Sequence, residues 1–297
     1  TDEVLQKIID RYNGSEPWKQ LSPSAMQKFV SCGLKYYFSY FTGIKIQDDR
    51  EDDLESNQLG TISHKVLEEL FKPHLDKVLR QEMYVKMLQD MPSLLRKEFL
   101  EIMEASDLEK GNNLLVLTGI EQMLRNYLLY EKQDIEVKSA NGIPTTLLGL
   151  ERRVQFQMQV NHKGEKITMH LGGTSDRIDR EGNVVRVIDY KTGKVEAKNL
   201  KLNELLEISE SPEKEKSLQL LLYMLAWKTQ SPDVEIVPGI LALKKPSEGL
   251  LSISFADKRD LSEVKREEIE EAFSLLVNSL LDPNEPFQQT DDRKQCA

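Results

Sequence analysis

From Ser24 to Tyr130 apolar residues return every three or four positions, the period of helices with one buried face. Ser22-Pro23-Ser24 has the chemistry of a helix start: a hydroxyl cap, then a proline that needs no intrahelical donor. The helix expected from Ser24 to Phe41 carries Met26, Phe29, Val30, Tyr37, Phe38 and Phe41 as a broad apolar and aromatic face. Further helices are expected from about Gln58 to Phe71, near Leu79 to Met103 and from Leu108 to Tyr130. From Thr145 the period changes to two, and Leu147 to Val160, Lys166 to Arg180 and Val184 to Lys191 read as successive strands. Helices resume around Leu200 and from Lys214 to Lys228. Strands follow at Gly239 to Leu243 and Leu250 to Phe255, and a closing helix runs from about Ser262 to Leu281. No internal repeat or low-complexity tract interrupts this order, which predicts a helical insertion ahead of a mixed α/β core.

The turn between the second and third strands is the most informative local feature. Gly182-Asn183 suits a two-residue type I′ or II′ loop. Antiparallel pairing counted outward from that loop sets Asp176 directly opposite Asp189, with Cβ atoms about 5 Å apart on one face. Two facing carboxylates repel, and a divalent cation between them removes the penalty; oxygen ligands of this kind select Mg²⁺ or Mn²⁺. Alternation along the strand turns Lys191 to the face of Asp189 and Tyr190 to the other. An ammonium there would orient an attacking water and balance charge on a phosphoryl oxygen, although Asp and Lys two apart on a strand also form ordinary surface ion pairs.

Composition allows a sizeable core: 39% of the 297 residues are apolar, and no apolar run approaches the length of a membrane span. Two cysteines, Cys32 and Cys296, stand near opposite ends and form no disulfide framework, which suits a reducing cytoplasm. The net charge of −10 argues, by itself, against a nucleic-acid partner. Much of the acid lies in runs such as residues 48–53, expected to be solvated loops, and a metal site needs carboxylates of its own, so a locally basic groove remains compatible with the total.

Gly173-Thr174-Ser175-Asp176-Arg177-Ile178-Asp179 followed by Val187-Ile188-Asp189-Tyr190-Lys191-Thr192-Gly193 resembles the PD-(D/E)XK nucleases of the RecB and AddB group. Upstream, Gly60-Thr61-Ile62-Ser63-His64 matches that group's G-x-x-x-H; downstream, Gln219-Leu220-Leu221-Leu222-Tyr223 matches its Q-x-x-x-Y. Near the start, Leu21-Ser22-Pro23-Ser24 and Cys32-Gly33-Leu34-Lys35-Tyr36-Tyr37-Phe38 resemble the opening S-P-S-x-L…C-P-x-x-F/Y, with Gly33 where proline is usual. The resemblance runs from Leu21 to Cys296. It implies a restriction-endonuclease-like α/β fold, a mixed sheet flanked by helices with a large N-terminal helical insertion. The helical part is expected over about 21–135 and the catalytic core over about 145–281. Residues 1–20 are expected as a linker from a preceding region, and 282–297 as a truncated tail.

For the site, the resemblance implies a cation held by His64, Asp176, Asp189 and the backbone carbonyl of Tyr190, with Lys191, Gln219 and Tyr223 completing the catalytic set. Cys32 and Cys296 match two of the four thiolates that hold a [4Fe–4S] cluster in AddB-like members; the alternative is two incidental free cysteines. On the cluster reading the C-terminus should be loose. Glu151, on the strand beside the catalytic hairpin, is a candidate additional acid. Glu68, one turn after His64, either reaches the metal shell or is solvated, and Arg177 either contacts phosphate or pairs with an acid. His74, His162 and His170 have no partner at ligand spacing and are expected on the surface or in loops.

The function implied is an exonuclease-type DNA nuclease in recombination and double-strand break repair, working in a bacterial cytoplasm as part of a helicase–nuclease. No Walker sequence G-x-x-x-x-G-K-S/T occurs, so unwinding would come from a helicase region or partner. The alternatives are a catalytically silent module that binds DNA or another protein, and a stand-alone exonuclease of the CRISPR-associated type.

Overall fold

The computed structural model describes residues 2–14, 16–42, 56–108, 110–231 and 233–290. In chain order its helices before the sheet are α1 (Asp2–Arg11), α2 (Pro23–Ser31), α3 (Gly33–Tyr37), α4 (Ser56–Phe71), α5 (Gln81–Leu100), α6 (Ala105–Leu108) and α7 (Gly111–Ala140). Strands β1 (Thr145–His162), β2 (Glu165–Glu181) and β3 (Val184–Lys191) follow, then β4 (Lys201–Leu202), α8 (Glu207–Glu210), α9 (Glu215–Gln230), β5 (Glu235–Ala242), β6 (Leu250–Ser252), β7 (Ser254–Phe255) and α10 (Arg266–Leu280). None of the described helices is long and apolar enough to cross a membrane.

Five strands make one mixed sheet in the order β1-β2-β3-β5-β6, while β4 and β7 pair separately. Strand β3 lies antiparallel to β2 and parallel to β5, so α9 is the crossover that joins two parallel neighbours. Covered on both faces, β3 is buried almost continuously from Val185 to Tyr190, whereas β1 alternates, with Val154, Phe156, Met158 and Val160 turned inward. Two apolar cores flank the sheet. One gathers Val185, Val187 and Ile240 with α1, α2, α9 and α10. The other gathers Ile188, Tyr190 and Leu241 with α4, α5 and α7. Helix α9 is buried on nearly all sides from Ser217 to Trp227, and each fully buried Leu there contributes about 1.5–3 kcal/mol.

Several elements depart from their sequence expectations. The helix expected from Ser24 to Phe41 breaks at Cys32, which is extended (φ −163°, ψ 106°) and restarts the chain as the cap of α3, its Sγ accepting from the Lys35 N–H at 3.4 Å. Helix α7 runs ten residues past Tyr130 because Glu131 and Ile135 continue its buried face. The strand expected from Leu250 to Phe255 is two strands: Leu250–Ser252 joins β5, and Ser254–Phe255 joins β4. Within residues 1–20, expected as a linker, α1 buries Leu5, Ile8 and Ile9 in the core shared with α9. His170, expected at the surface, is buried on β2 where Tyr12 and Leu21 bond to its backbone, on the face opposite the core residues Met169 and Leu171; periodicity alone does not mark it. The acidic run 48–53 and Cys296 lie outside the described residues.

Candidate active site

The hairpin register is the one counted from the turn: Gly182 takes φ +59°, Glu181 pairs with Val184, and the ladder continues to Arg177 opposite Ile188. There it ends. One step further, where Asp176 would face Asp189, the Asp176 carboxylate accepts the N–H of Tyr190 at 2.5 Å in place of a backbone carbonyl. Strand β2 stays paired with β1 through this region, Ser175 with Arg152 and Arg177 with Leu150. The two inner strands therefore part where the two carboxylates stand, both buried.

Four elements bring side chains to this point. From α4, His64 Nδ1 lies 3.2 Å from Asp176 Oδ1. From β3, Lys191 Nζ lies 2.8 Å from Asp189 Oδ2. From α9, Gln219 Nε2 donates to Asp189 Oδ1 at 2.7 Å and lies 2.8 Å from Tyr223 Oη, which donates to the Thr174 carbonyl at 2.6 Å. The i, i+4 spacing puts both polar tips on one face of α9, and the two residues tie Asp189 to β2. From β1, Glu151 stands between two ladder pairs, beside Asp176. His64, Glu151 and Asp176 each offer a ligand atom within 4.8 Å of the others.

Glu151 is the residue that sequence placed least firmly. Its φ of +44° is a left-handed conformation that side-chain-bearing residues adopt at a cost of about 1–2 kcal/mol, just after the bulge at Leu148. Sequence offers no signal for that dihedral. Glu68, half-buried on α4, adds negative charge against Glu151 but lies outside the three-residue cluster.

Electrostatics follow from crowding three acids into a partly dry cleft. Burial and the Asp176 charge raise Asp189 to about 6 despite Lys191, and the same two causes raise Glu151 to about 7. His64 is raised: burial opposes its charge, but the hydrogen bond and charge of Asp176 outweigh it. Lys191 is raised likewise, burial being outweighed by Asp189. A cation among these carboxylates would relieve their repulsion, and the donor set of carboxylates with one imidazole fits a divalent ion.

Tyr190 turns its ring away from the site, as alternation requires; its hydroxyl lies 3.0 Å from Tyr127 Oη, in the core beneath α7. Arg177 is wholly buried on that same side. It pairs with Glu131 and Asp179 at 2.7 Å each and stacks over Phe71 at 4.6 Å, so of the two roles open to it in sequence the structure shows the acid partner. His74 follows α4 and His162 ends β1, both apart from the cleft.

Cys32 is buried, far along the chain from the carboxylates but close to the tail: the Leu34 N–H donates to the Gln288 carbonyl at 3.1 Å, and Phe287 packs on Phe29, Tyr36 and Tyr37. The tail expected to be loose is thus held as far as Gln288, because Phe287 completes an aromatic cluster. With two cysteines in 297 residues, four thiolates are not available, and a [4Fe–4S] cluster does not fit these residues alone.

Over residues 20–297 the chain matches the PD-(D/E)XK nuclease superfamily. It belongs to that family. Among curated proteins it is similar to an ATP-dependent helicase/deoxyribonuclease subunit of Carboxydothermus hydrogenoformans, 28% identical over 222 residues, which cover 70% of this chain and 18% of that protein. The protein of the same name from Alkaliphilus metalliredigens is 25% identical over 235 residues, 73% of this chain and 19% of that protein. The chain thus spans less than a fifth of the length of these relatives.

Proposed function

We propose that this chain is a Mg²⁺- or Mn²⁺-dependent nuclease that hydrolyses DNA phosphodiesters as an exonuclease, serving as the cutting part of a helicase–nuclease in bacterial double-strand break repair. The observation that carries the reading is the convergence of His64, Glu151 and Asp176 beside an Asp189 held by Lys191 and Gln219. A cation here would be bound by Asp176, Asp189, Glu151, His64 and the Tyr190 carbonyl, and when bound it would acidify water and stabilise charge on the phosphoryl oxygens. The chain's own groups do the rest. Lys191 holds Asp189 in place and offers its ammonium to the phosphate oxygen on which charge builds. Glu151, beside His64 and Asp176, adds a third carboxylate to the donors, and the attacking water gives up its proton to solvent. Gln219 and Tyr223 orient Asp189 against β2. Water adds at phosphorus, the bond to the leaving sugar oxygen breaks, and solvent protonates that oxygen. The deoxyribonuclease assignment and the helicase partner draw on the name of the similar proteins.

The test is cleavage of linear single- and double-stranded DNA with Mg²⁺ or Mn²⁺, beside Asp189→Ala and Lys191→Ala. A loss of about 10²-fold or more in each variant is expected, the scale of removing a charge-stabilising group. Equal cleavage by all three proteins overturns the mechanism; DNA bound but never cut by the natural sequence supports the silent binding module instead.

A further inference from the structure

Beside the carboxylates lies a cavity of about 290 Å³, at the small end of ligand sites, whose lining includes Gln20, Arg153, Gly172, Gly173, Gln219 and Tyr223. Its wall is shared with the proposed catalytic set, since Gln219 donates to Asp189 and Tyr223 anchors Thr174. A short bridge between Leu21 and Leu171 lays the chain before α2 along β2, and the glycine pair permits that approach. A Cβ on Gly172 would stand 2.0 Å from Gln20 Oε1, and one on Gly173 would stand 3.1 Å from the Tyr223 ring. A side chain at either position would press on residues that line the cavity, Gln20 from Gly172 and Tyr223 and Pro23 from Gly173.

Charge singles the cavity out. In a chain of net charge −10, no acidic residue lines it among the described residues. Among the described residues its one charged lining group is the exposed Arg153, joined by the hydroxyls of Ser22, Ser24 and Thr174 and the amide of Gln20, while the N–H groups of Gln219 are engaged by Asp189 and Tyr223 and the Tyr223 hydroxyl by the Thr174 carbonyl. Neutral donors around a guanidinium match a phosphodiester, which guanidinium binds in a planar, two-pronged fashion. We propose that this cavity holds the phosphate neighbouring the scissile one on the same DNA strand, with Arg153 as its principal contact. The proposal rests on the nuclease reading above. The resulting geometry threads the strand past Gln219, so the side chain that orients Asp189 also touches the neighbouring nucleotide.

The test compares Arg153→Ala and Arg153→Lys with the natural sequence on a single-stranded oligonucleotide and on a chromogenic diester that has one phosphate only. The ratio of the two kcat/KM values falls about tenfold in Arg153→Ala, corresponding to about 1.4 kcal/mol, and Arg153→Lys recovers part of it. A neutral methylphosphonate at the neighbouring linkage lowers the natural protein's ratio similarly and has little further effect on Arg153→Ala. An unchanged ratio overturns the proposal. Fluorescence anisotropy of the oligonucleotide with Ca²⁺ reads the subsite without catalysis: loss of one contact lowers the slope of log affinity against log salt by about 0.7. An inactive natural protein with that slope change fails the nuclease reading and keeps the subsite; equal slopes in all variants reject the subsite.

Discussion

Replacing Glu151 by glycine separates what this residue does for folding from what it does for the site. Its φ of +44° costs a residue with a side chain about 1–2 kcal/mol, and glycine removes that cost while losing about 0.5–1 kcal/mol to the greater freedom of the unfolded chain. The net is a stabilisation of about 0.5–1 kcal/mol. At pH 8 the substitution also removes a carboxylate that Asp176 repels, which raises the stability further when no cation is present. For a chain of this length the strain component alone raises Tm by about 1–3 °C. Glu151→Ala, which keeps the strained dihedral and loses only the carboxylate, melts between the natural sequence and the glycine variant. The assay is thermal unfolding in EDTA at pH 8, repeated with excess Mn²⁺. Cation raises Tm more in the natural protein than in either variant, and both variants cut DNA more slowly. A glycine variant that melts below the natural sequence in EDTA would refute the argument that local strain is held at Glu151 for the site.

The pH dependence has a definite sign. Asp189 at about 6 and Glu151 at about 7 keep, in the folded chain, protons that the unfolded chain releases from about pH 4 upward, so these groups make metal-free stability fall as pH rises through that window. Cation binding needs both deprotonated, so calorimetric affinity for Mn²⁺ rises between pH 5.5 and 8, and Glu151→Gln flattens that rise; a pH-independent affinity contradicts the assignment. Arg177→Leu strands Glu131 as a buried charge, while Asp179 keeps Arg186, and destabilises by about 3–5 kcal/mol in denaturant unfolding, whereas a loss below about 1 kcal/mol would show that this network is solvated. Tyr223→Phe leaves the Thr174 carbonyl without its donor and costs about 1–3 kcal/mol, with slower cleavage because Gln219 loses its brace; an active, equally stable variant removes Tyr223 from the positioning set.

Local chemistry carried much of this protein into the sequence. Gly182 in a two-residue loop sets the register of β2 and β3, because side chains alternate strictly outward from a turn. That rule sets Asp176 opposite Asp189, a pairing the ladder stops one step short of, aims Lys191 at the site and turns Tyr190 to the core. The Gln219 and Tyr223 spacing was equally legible, since a helix returns to the same face after four residues. Tertiary packing decided the rest. Whether Leu250 to Phe255 forms one strand or two depends on which neighbours its edges meet, and Cys32 interrupts a continuous apolar pattern because the chain turns there to meet Phe287. The left-handed Glu151, the ladder that ends at Arg177 and the cavity over Gly172 and Gly173 arise where three distant segments converge on β2. A period of apolar residues encodes only which face of its own element is buried; a dihedral or an opened ladder at a site is selected by everything packed against it, and so takes its cause from residues far away in the chain.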